Sequence, residues 1–206
     1  IDGMLIQSGS DATYAAARFI GDLLIAKGAT GSDPVAVFVD EMNQVAARLD
    51  LKNTHFMNPV GIDQDDHYSS ARDLATLAAA AISKPVIAEA VKQVSVQTVI
   101  EGPNRREVTL VNTNQLLDGE SVHGVKTGST GDAGACLILA KWERGTNRVI
   151  TVVMGSDLTY DDEGIIAVDK RWDDTRAVLK AIERDVRWVS PADPNDVPGL
   201  REELAA

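Results

Sequence analysis

The sequence predicts an α+β fold, a cluster of helices packed on a mainly antiparallel sheet. Two observations carry this expectation. Apolar residues recur at spacings of three and four up to about residue 93, and at a spacing of two beyond it. The order is helices, then a run of strands, then a closing helix, which segregates the two kinds of element rather than alternating them.

Taken in order, Asp11 to Ala26 reads as a helix with Ala15, Phe19, Leu23 and Ala26 on one face and Asp11 as its N-cap. Gly28 stands at a C-cap position. Asp33-Pro34 starts a second helix, marked by Phe38, Met42, Val45 and Leu49. Residues 50–69 hold Asn53, Asn58-Pro59 and Gly61 and read as a long ordered loop. Ser70-Ala71-Arg72-Asp73 has capping-box spacing and opens a third helix through Ile82. Ser83-Lys84-Pro85 opens a short fourth.

Val94, Val96 and Thr98 then alternate with polar residues, Gly102-Pro103-Asn104 turns the chain, and Val108 to Leu110 returns it. Val122 to Thr127, Ala135 to Trp142 and Val149 to Met154 read as three more strands of the same sheet, with a hairpin loop at Glu143 to Asn147. Ile165 to Ile182 reads as the closing helix, packed on the sheet. Residues 1–188 are expected to form one domain, and residues 189–206, rich in Pro after Pro191, a tail or linker.

The net charge of −11 argues against nucleic acid as a partner and against an anionic membrane surface. No apolar run approaches the roughly 20 residues that span a bilayer. The start on Met4-Leu5-Ile6, already apolar, reads as a beginning inside a fold. Cys136 is the single Cys, so no intrachain disulfide and no Cys-based metal site forms. His55, His67 and His123 lack metal-ligand spacing. Asp63, Asp65 and Asp66 lack the ligand ladder of a calcium loop. No metal and no cofactor is expected. Trp142, Trp172 and Trp188 read as packing residues.

Two short motifs carry chemistry. In Lys126-Thr127-Gly128-Ser129-Thr130, a Lys at a strand end supplies a fixed cation and Thr127 a hydroxyl. Gly128 leaves room for a substrate backbone, Ser129 offers an N–H, and Thr130 a further hydroxyl. Read blandly, it is a Gly-containing turn. Ser8-Gly9-Ser10 is either a helix stop with an N-cap or a pair of hydroxyls aimed into a cleft.

These motifs stand with Lys52-Asn53-Thr54-His55-Phe56-Met57-Asn58-Pro59-Val60-Gly61-Ile62-Asp63 and His67-Tyr68-Ser69-Ser70-Ala71-Arg72-Asp73-Leu74-Ala75. Together they resemble successive blocks of the D-alanyl-D-alanine carboxypeptidases, the low-molecular-mass penicillin-binding proteins, from about residue 1 to about 183. The resemblance implies a β-lactamase/transpeptidase-like fold and a serine peptidase that shortens peptidoglycan stem peptides ending in D-Ala-D-Ala. It implies an extracytoplasmic location and β-lactams as inhibitors.

By the same resemblance, Ser8 and Lys126 are catalytic. Ser8 relays a proton, while Ser10, Thr127, Gly128, Ser129 and Thr130 bind substrate. The S-x-x-K motif that carries the family's nucleophile is absent: no Ser in the 206 residues has a Lys three positions later. The nucleophile is therefore expected on an N-terminal segment outside this chain, and the chain alone is expected to be inactive. The alternatives are a non-catalytic homologue that binds peptidoglycan or a partner, and a β-lactamase-related enzyme. Three departures stand out. Ser10 replaces the usual Asn. The acidic stretch Asp157 to Glu163 lacks the Arg that some members place there. The residues after Ser190 are too few for a second domain.

Overall fold

The computed structural model describes residues 1–118, 121–143 and 147–186. The chain divides into a unit of residues 1–175 and a second of residues 176–206. In the second, the described part is the continuation of one helix, with Arg184 paired to Asp185 at 2.6 Å. Trp188, the tail 189–206 and the tip of the Glu143–Asn147 loop with Gly145 lie outside the described residues.

The first unit opens with α1 (Asp2–Leu5), α2 (Ser10–Ala26), α3 (Pro34–Arg48), α4 (Ala71–Ile82) and α5 (Pro85–Val91). Two caps follow the expected chemistry. Asp33 accepts from the Val35 N–H at 3.1 Å, and Ser70 accepts from the Asp73 N–H at 3.2 Å. Asp73 does not complete a capping box. Its buried carboxylate instead accepts from the Asn53 N–H at 2.7 Å and the Thr54 hydroxyl at 2.8 Å, pinning the loop that precedes α4.

α2 corrects two expectations. Its N-cap is Gly9 rather than Asp11. The face bearing Ala15, Phe19, Leu23 and Ala26 is not the core face: Phe19 is 65% and Leu23 45% exposed, while Ala17 and Gly21 are buried. The reason is a close helix crossing. A Cβ on Gly21 would come within 1.9 Å of the Pro34 carbonyl oxygen, so α2 meets α3 through its smallest residue and turns its large apolar side chains outward.

β1 (Ser95–Ile100) and β2 (Arg106–Val111) form an antiparallel hairpin. β3 (Val122–Thr130), β4 (Gly134–Glu143) and β5 (Asn147–Ser156) form an antiparallel sheet with β4 at its centre. β6 (Leu158–Tyr160) and β7 (Ile166–Asp169) form a second hairpin before α6 (Arg171–Asp185). The five expected strands thus exist, but not in one sheet. Past β2 the chain still follows the approach to β1, with the Asn112 N–H donating to the Val94 carbonyl at 2.9 Å and its side-chain amide to the Gln93 carbonyl at 2.9 Å and the Val91 carbonyl at 3.3 Å. The closing helix begins at Arg171, not Ile165, because Ile166–Asp169 pairs with β6 instead.

The core of this unit lies between α4, α5 and the central sheet. Ile82 and Val91 pack on Val125 and Ala140, with Leu5, Ile87, Ile138 and Ile150 against them. β4 is buried on both faces, with Ala135, Leu137, Leu139 and Ala140 at most 1% exposed, as expected of a middle strand. Burying β4 fixes its neighbour β3, the strand that carries the Lys126 motif.

Candidate active site

Lys126 stands on β3 opposite Ile138, and β3 runs three residues past its expected end, through Gly128-Ser129-Thr130. Ser8 reaches it from the short link between α1 and α2. The Lys126 ammonium donates to the Ser8 hydroxyl across 118 positions of chain, and also to the Thr127 carbonyl at 2.8 Å. Ser8 has φ +57°, a left-handed conformation that a Ser rarely adopts. The fold holds this strained residue by the Gly9 N–H, which donates to the Gly3 carbonyl at 2.8 Å. Ser10 begins α2, exposed.

The Lys126 pKa falls from 10.5 to about 8, first because burial penalises the ammonium and second because Arg171 adds a like charge nearby. Near neutral pH such a lysine is still mostly charged, yet it gives up a proton far more readily than an exposed one.

Thr127 and Ser129 are each held by a partner. The Thr127 hydroxyl lies 2.6 Å from that of Thr113. Thr113 is in turn tied to the Ser8 link, its N–H donating to the Ile6 carbonyl at 3.2 Å. The flanking Asn114 is buried and donates to the Gly124 carbonyl at 3.3 Å. The Ser129 hydroxyl accepts from Arg171 Nη2 at 2.5 Å. Arg171 Nη1 donates to the Gly128 carbonyl at 2.9 Å and the Cys136 carbonyl at 3.3 Å, and Nε donates to Asp169 at 2.8 Å.

Gly128 is exposed, and a Cβ built on it would meet only Cys136 Cβ, at 3.9 Å. The fold itself does not require glycine there, so the space it leaves lies open to a ligand. Thr130 ends β3, and its hydroxyl accepts from the Ala133 N–H at 3.0 Å in the turn to β4.

The structure thus brings Ser8 together with Lys126, and gathers Thr127, Gly128 and Ser129 into one wall beside them. Ser10 lies two residues from Ser8, and it is Ser8 that bonds to Lys126. A hydroxyl, two cations and a strand edge with an exposed Ser129 make a place suited to an anionic group. His55 and His67 serve the 53–69 loop: His55 Nδ1 lies 2.8 Å from the Asp66 carbonyl, and His67 Nδ1 accepts from the Met57 N–H at 3.0 Å.

Arg171 is the residue that sequence reasoning missed. The missing Arg was sought in 157–163, but that stretch is β6 and its turn. The β6–β7 hairpin carries the chain out and returns it with an Arg against the Lys126 strand. Within a helical pattern beside Lys170, an Arg reads as a solvated face. The signal available was Asp169, two residues before it and able to hold it. Thr113 was missed for lack of any motif, although two flanking Asn mark a segment that caps its own backbone.

Residues 1–158 match the family model described as D-alanyl-D-alanine carboxypeptidase. The chain is 38% identical over 157 residues to the D-alanyl-D-alanine carboxypeptidase DacF of Bacillus subtilis, a match covering 76% of this chain and 37% of that one. It is 37% identical over 158 residues to the D-alanyl-D-alanine carboxypeptidase of Streptomyces sp. strain K15, covering 75% and 52%. The chain therefore spans about a third to a half of the length of the curated relatives it matches.

Among solved structures it resembles the Streptomyces K15 DD-transpeptidase, with a TM-score of 0.71 and 31% identity over 87% of this chain and 64% of that one. It also resembles the cefotaxime-bound penicillin-binding protein D2 of Listeria monocytogenes, with a TM-score of 0.64 and 32% identity over 87% and 63%. The fold is that of the penicillin-binding transpeptidases, and with its ordered blocks matched from residue 1 to residue 158 the chain belongs to the D-alanyl-D-alanine carboxypeptidase family.

Proposed function

We propose that this chain is part of a serine-type D-Ala-D-Ala carboxypeptidase that trims peptidoglycan stem peptides outside the cytoplasm. Its nucleophile sits on an S-x-x-K segment that is not among the 206 residues. The observation that carries this reading is the hydrogen bond between Ser8 and Lys126, made between motifs 118 positions apart, with Arg171 against the next residues of the same strand. The exposed Phe19, Ile20 and Leu23 of α2 leave an apolar face open to such a segment. The solved relatives extend well beyond the part matched here, which supports a further segment.

In this mechanism the Lys of the S-x-x-K segment takes the proton of the nucleophilic Ser, whose oxygen attacks the carbonyl carbon of the penultimate D-Ala. The developing oxyanion takes a hydrogen bond from the Ser129 N–H. The C–N bond to the terminal D-Ala breaks, and the leaving amine receives the Ser8 hydroxyl proton, which Lys126 replaces. The hydroxyls of Thr127 and Ser129, with Arg171 behind them, hold the terminal carboxylate. The strand edge at Gly128 takes the peptide backbone, and Thr130 and Ser10 line the ends of the site. Water then releases the acyl group. A β-lactam acylates the same Ser.

The test is acylation by a fluorescent penicillin. The 206-residue chain alone gives no covalent adduct and no release of D-Ala, whereas the protein carrying the S-x-x-K segment gives both. A stoichiometric adduct on the isolated chain, or turnover that survives Ser8→Ala, overturns the reading.

A further inference from the structure

The loop of residues 53–69 is built as a stiff arm. At its base, Asp73 holds Asn53 and Thr54, and His55 and Tyr68 exchange backbone hydrogen bonds at 2.9 and 3.0 Å. Asn43 on α3 clamps both the N–H and the carbonyl of Phe56, each at 2.8 Å. Near the tip, the Asn58 side chain accepts from the N–H groups of Val60, Gly61 and Ile62 at 2.8 to 3.2 Å and donates to the Ile62 carbonyl at 2.9 Å. The next residue, Asp63, reaches across 69 positions of chain to the β3–β4 turn, where its carboxylate accepts from the Asp132 N–H at 3.1 Å. The Asp63 carboxyl lies below the usual carboxylate range, because the Thr130 hydroxyl, then the Asp132 N–H, bond to its charged form.

We propose that Asp63 is a positioning residue of the acyl-transfer site: from its stiff loop it grips the turn after β3 and so sets where the Ser129 N–H and the Thr130 hydroxyl stand. This rests on the carboxypeptidase reading for the chemistry, but not for the grip. The turn has two supports. Within it, Thr130 caps the Ala133 N–H, and from outside, Asp63 caps the Asp132 N–H. Without the outside support, Thr130 loses its second partner, and the end of β3 is held only by Arg171 and its pairing with β4. An oxyanion donor misplaced by a fraction of an ångström loses much of its effect on the transition state.

Two variants test this. Asp63→Ala removes the acceptor, while Asp63→Asn keeps an acceptor oxygen in the same place. In the 206-residue chain, amide exchange at Asp132 is expected to quicken about fivefold or more in the Ala variant and to return towards the parent in the Asn variant, with the melting temperature little changed. In the protein carrying the nucleophile segment, the Ala variant is expected to acylate with penicillin about tenfold more slowly, and the Asn variant to recover most of that loss. Exchange at Asp132 that is unchanged in the Ala variant overturns the grip. Quicker exchange with unaltered acylation overturns the positioning role. A parent protein that never acylates sinks the carboxypeptidase reading instead and leaves the grip to be decided by exchange alone.

Discussion

Arg171 donates to the Ser129 hydroxyl at 2.5 Å across 42 positions of chain, while its side chain stays 5% exposed against Asp169. A guanidinium so placed both closes the back of the strand and lends its charge to the wall in front. Its removal is expected to harm stability and site together. Arg171→Ala strands a largely buried Asp169 and frees the Gly128 and Cys136 carbonyls, at a cost of about 3 kcal/mol by urea denaturation. Arg171→Lys restores the charge but not the fork, and stays about 1 kcal/mol below the parent. An Ala variant as stable as the parent contradicts this account.

Lys126 predicts a pH dependence. Its folded pKa of about 8 lies below the ordinary 10.5, so between these values the unfolded chain binds the proton that the folded chain has released. Stability therefore rises with pH across that window and is lowest, for this residue, below about 8. Function runs the other way: capture of an anion at the wall weakens as pH rises through about 8 and Lys126 loses its charge. Lys126→Met should flatten both trends. A stability curve of the parent with no upward slope in that window refutes the assignment.

His67 makes a demand of the same sign in more acidic solutions. Burial first, and the neighbouring His55 second, depress its pKa, and its Nδ1 accepts the Met57 N–H only when unprotonated. The unfolded chain takes up this proton first as pH falls below about 6.5, so acidification costs stability there and loosens the loop. The Met57 amide should lose protection between about pH 7.5 and about pH 5, after correction for intrinsic exchange. Equal protection at both ends would show that His67 does not hold the loop.

Gly21 is the contact through which α2 meets α3. Gly21→Ala normally helps a helix by about 1 kcal/mol, but here the new methyl lands 1.9 Å from the Pro34 carbonyl oxygen. Backbone must move to admit it, so the variant is expected to be destabilised by about 2 kcal/mol or more. A variant with a raised melting temperature would mean that the helices separate freely.

The parts of this fold legible in the sequence are those decided locally. The Ser70 and Asp33 caps, the period-two runs and the Gly102-Pro103-Asn104 turn each announce themselves within a few residues. The wall around Lys126 was legible through a resemblance between blocks, not through spacing. What stayed hidden was decided by neighbours far away in the chain. Phe19 and Leu23 carry a core pattern with nothing among the described residues to bury them, because Gly21 chooses the opposite face for α3. β7 reads as the first turn of a helix until β6 takes its hydrogen bonds. Arg171, Thr113 and Asp63 act through partners 42, 14 and 69 positions away, beyond the reach of any periodicity.

The outward face of α2 has a consequence for how the whole protein comes into being. If one further segment covers Phe19, Ile20 and Leu23 and also completes the site at Ser8, then stabilisation and activation arrive together. Supplied separately, that segment should behave as a complementing fragment, raising the melting temperature of this chain in proportion to the logarithm of its concentration.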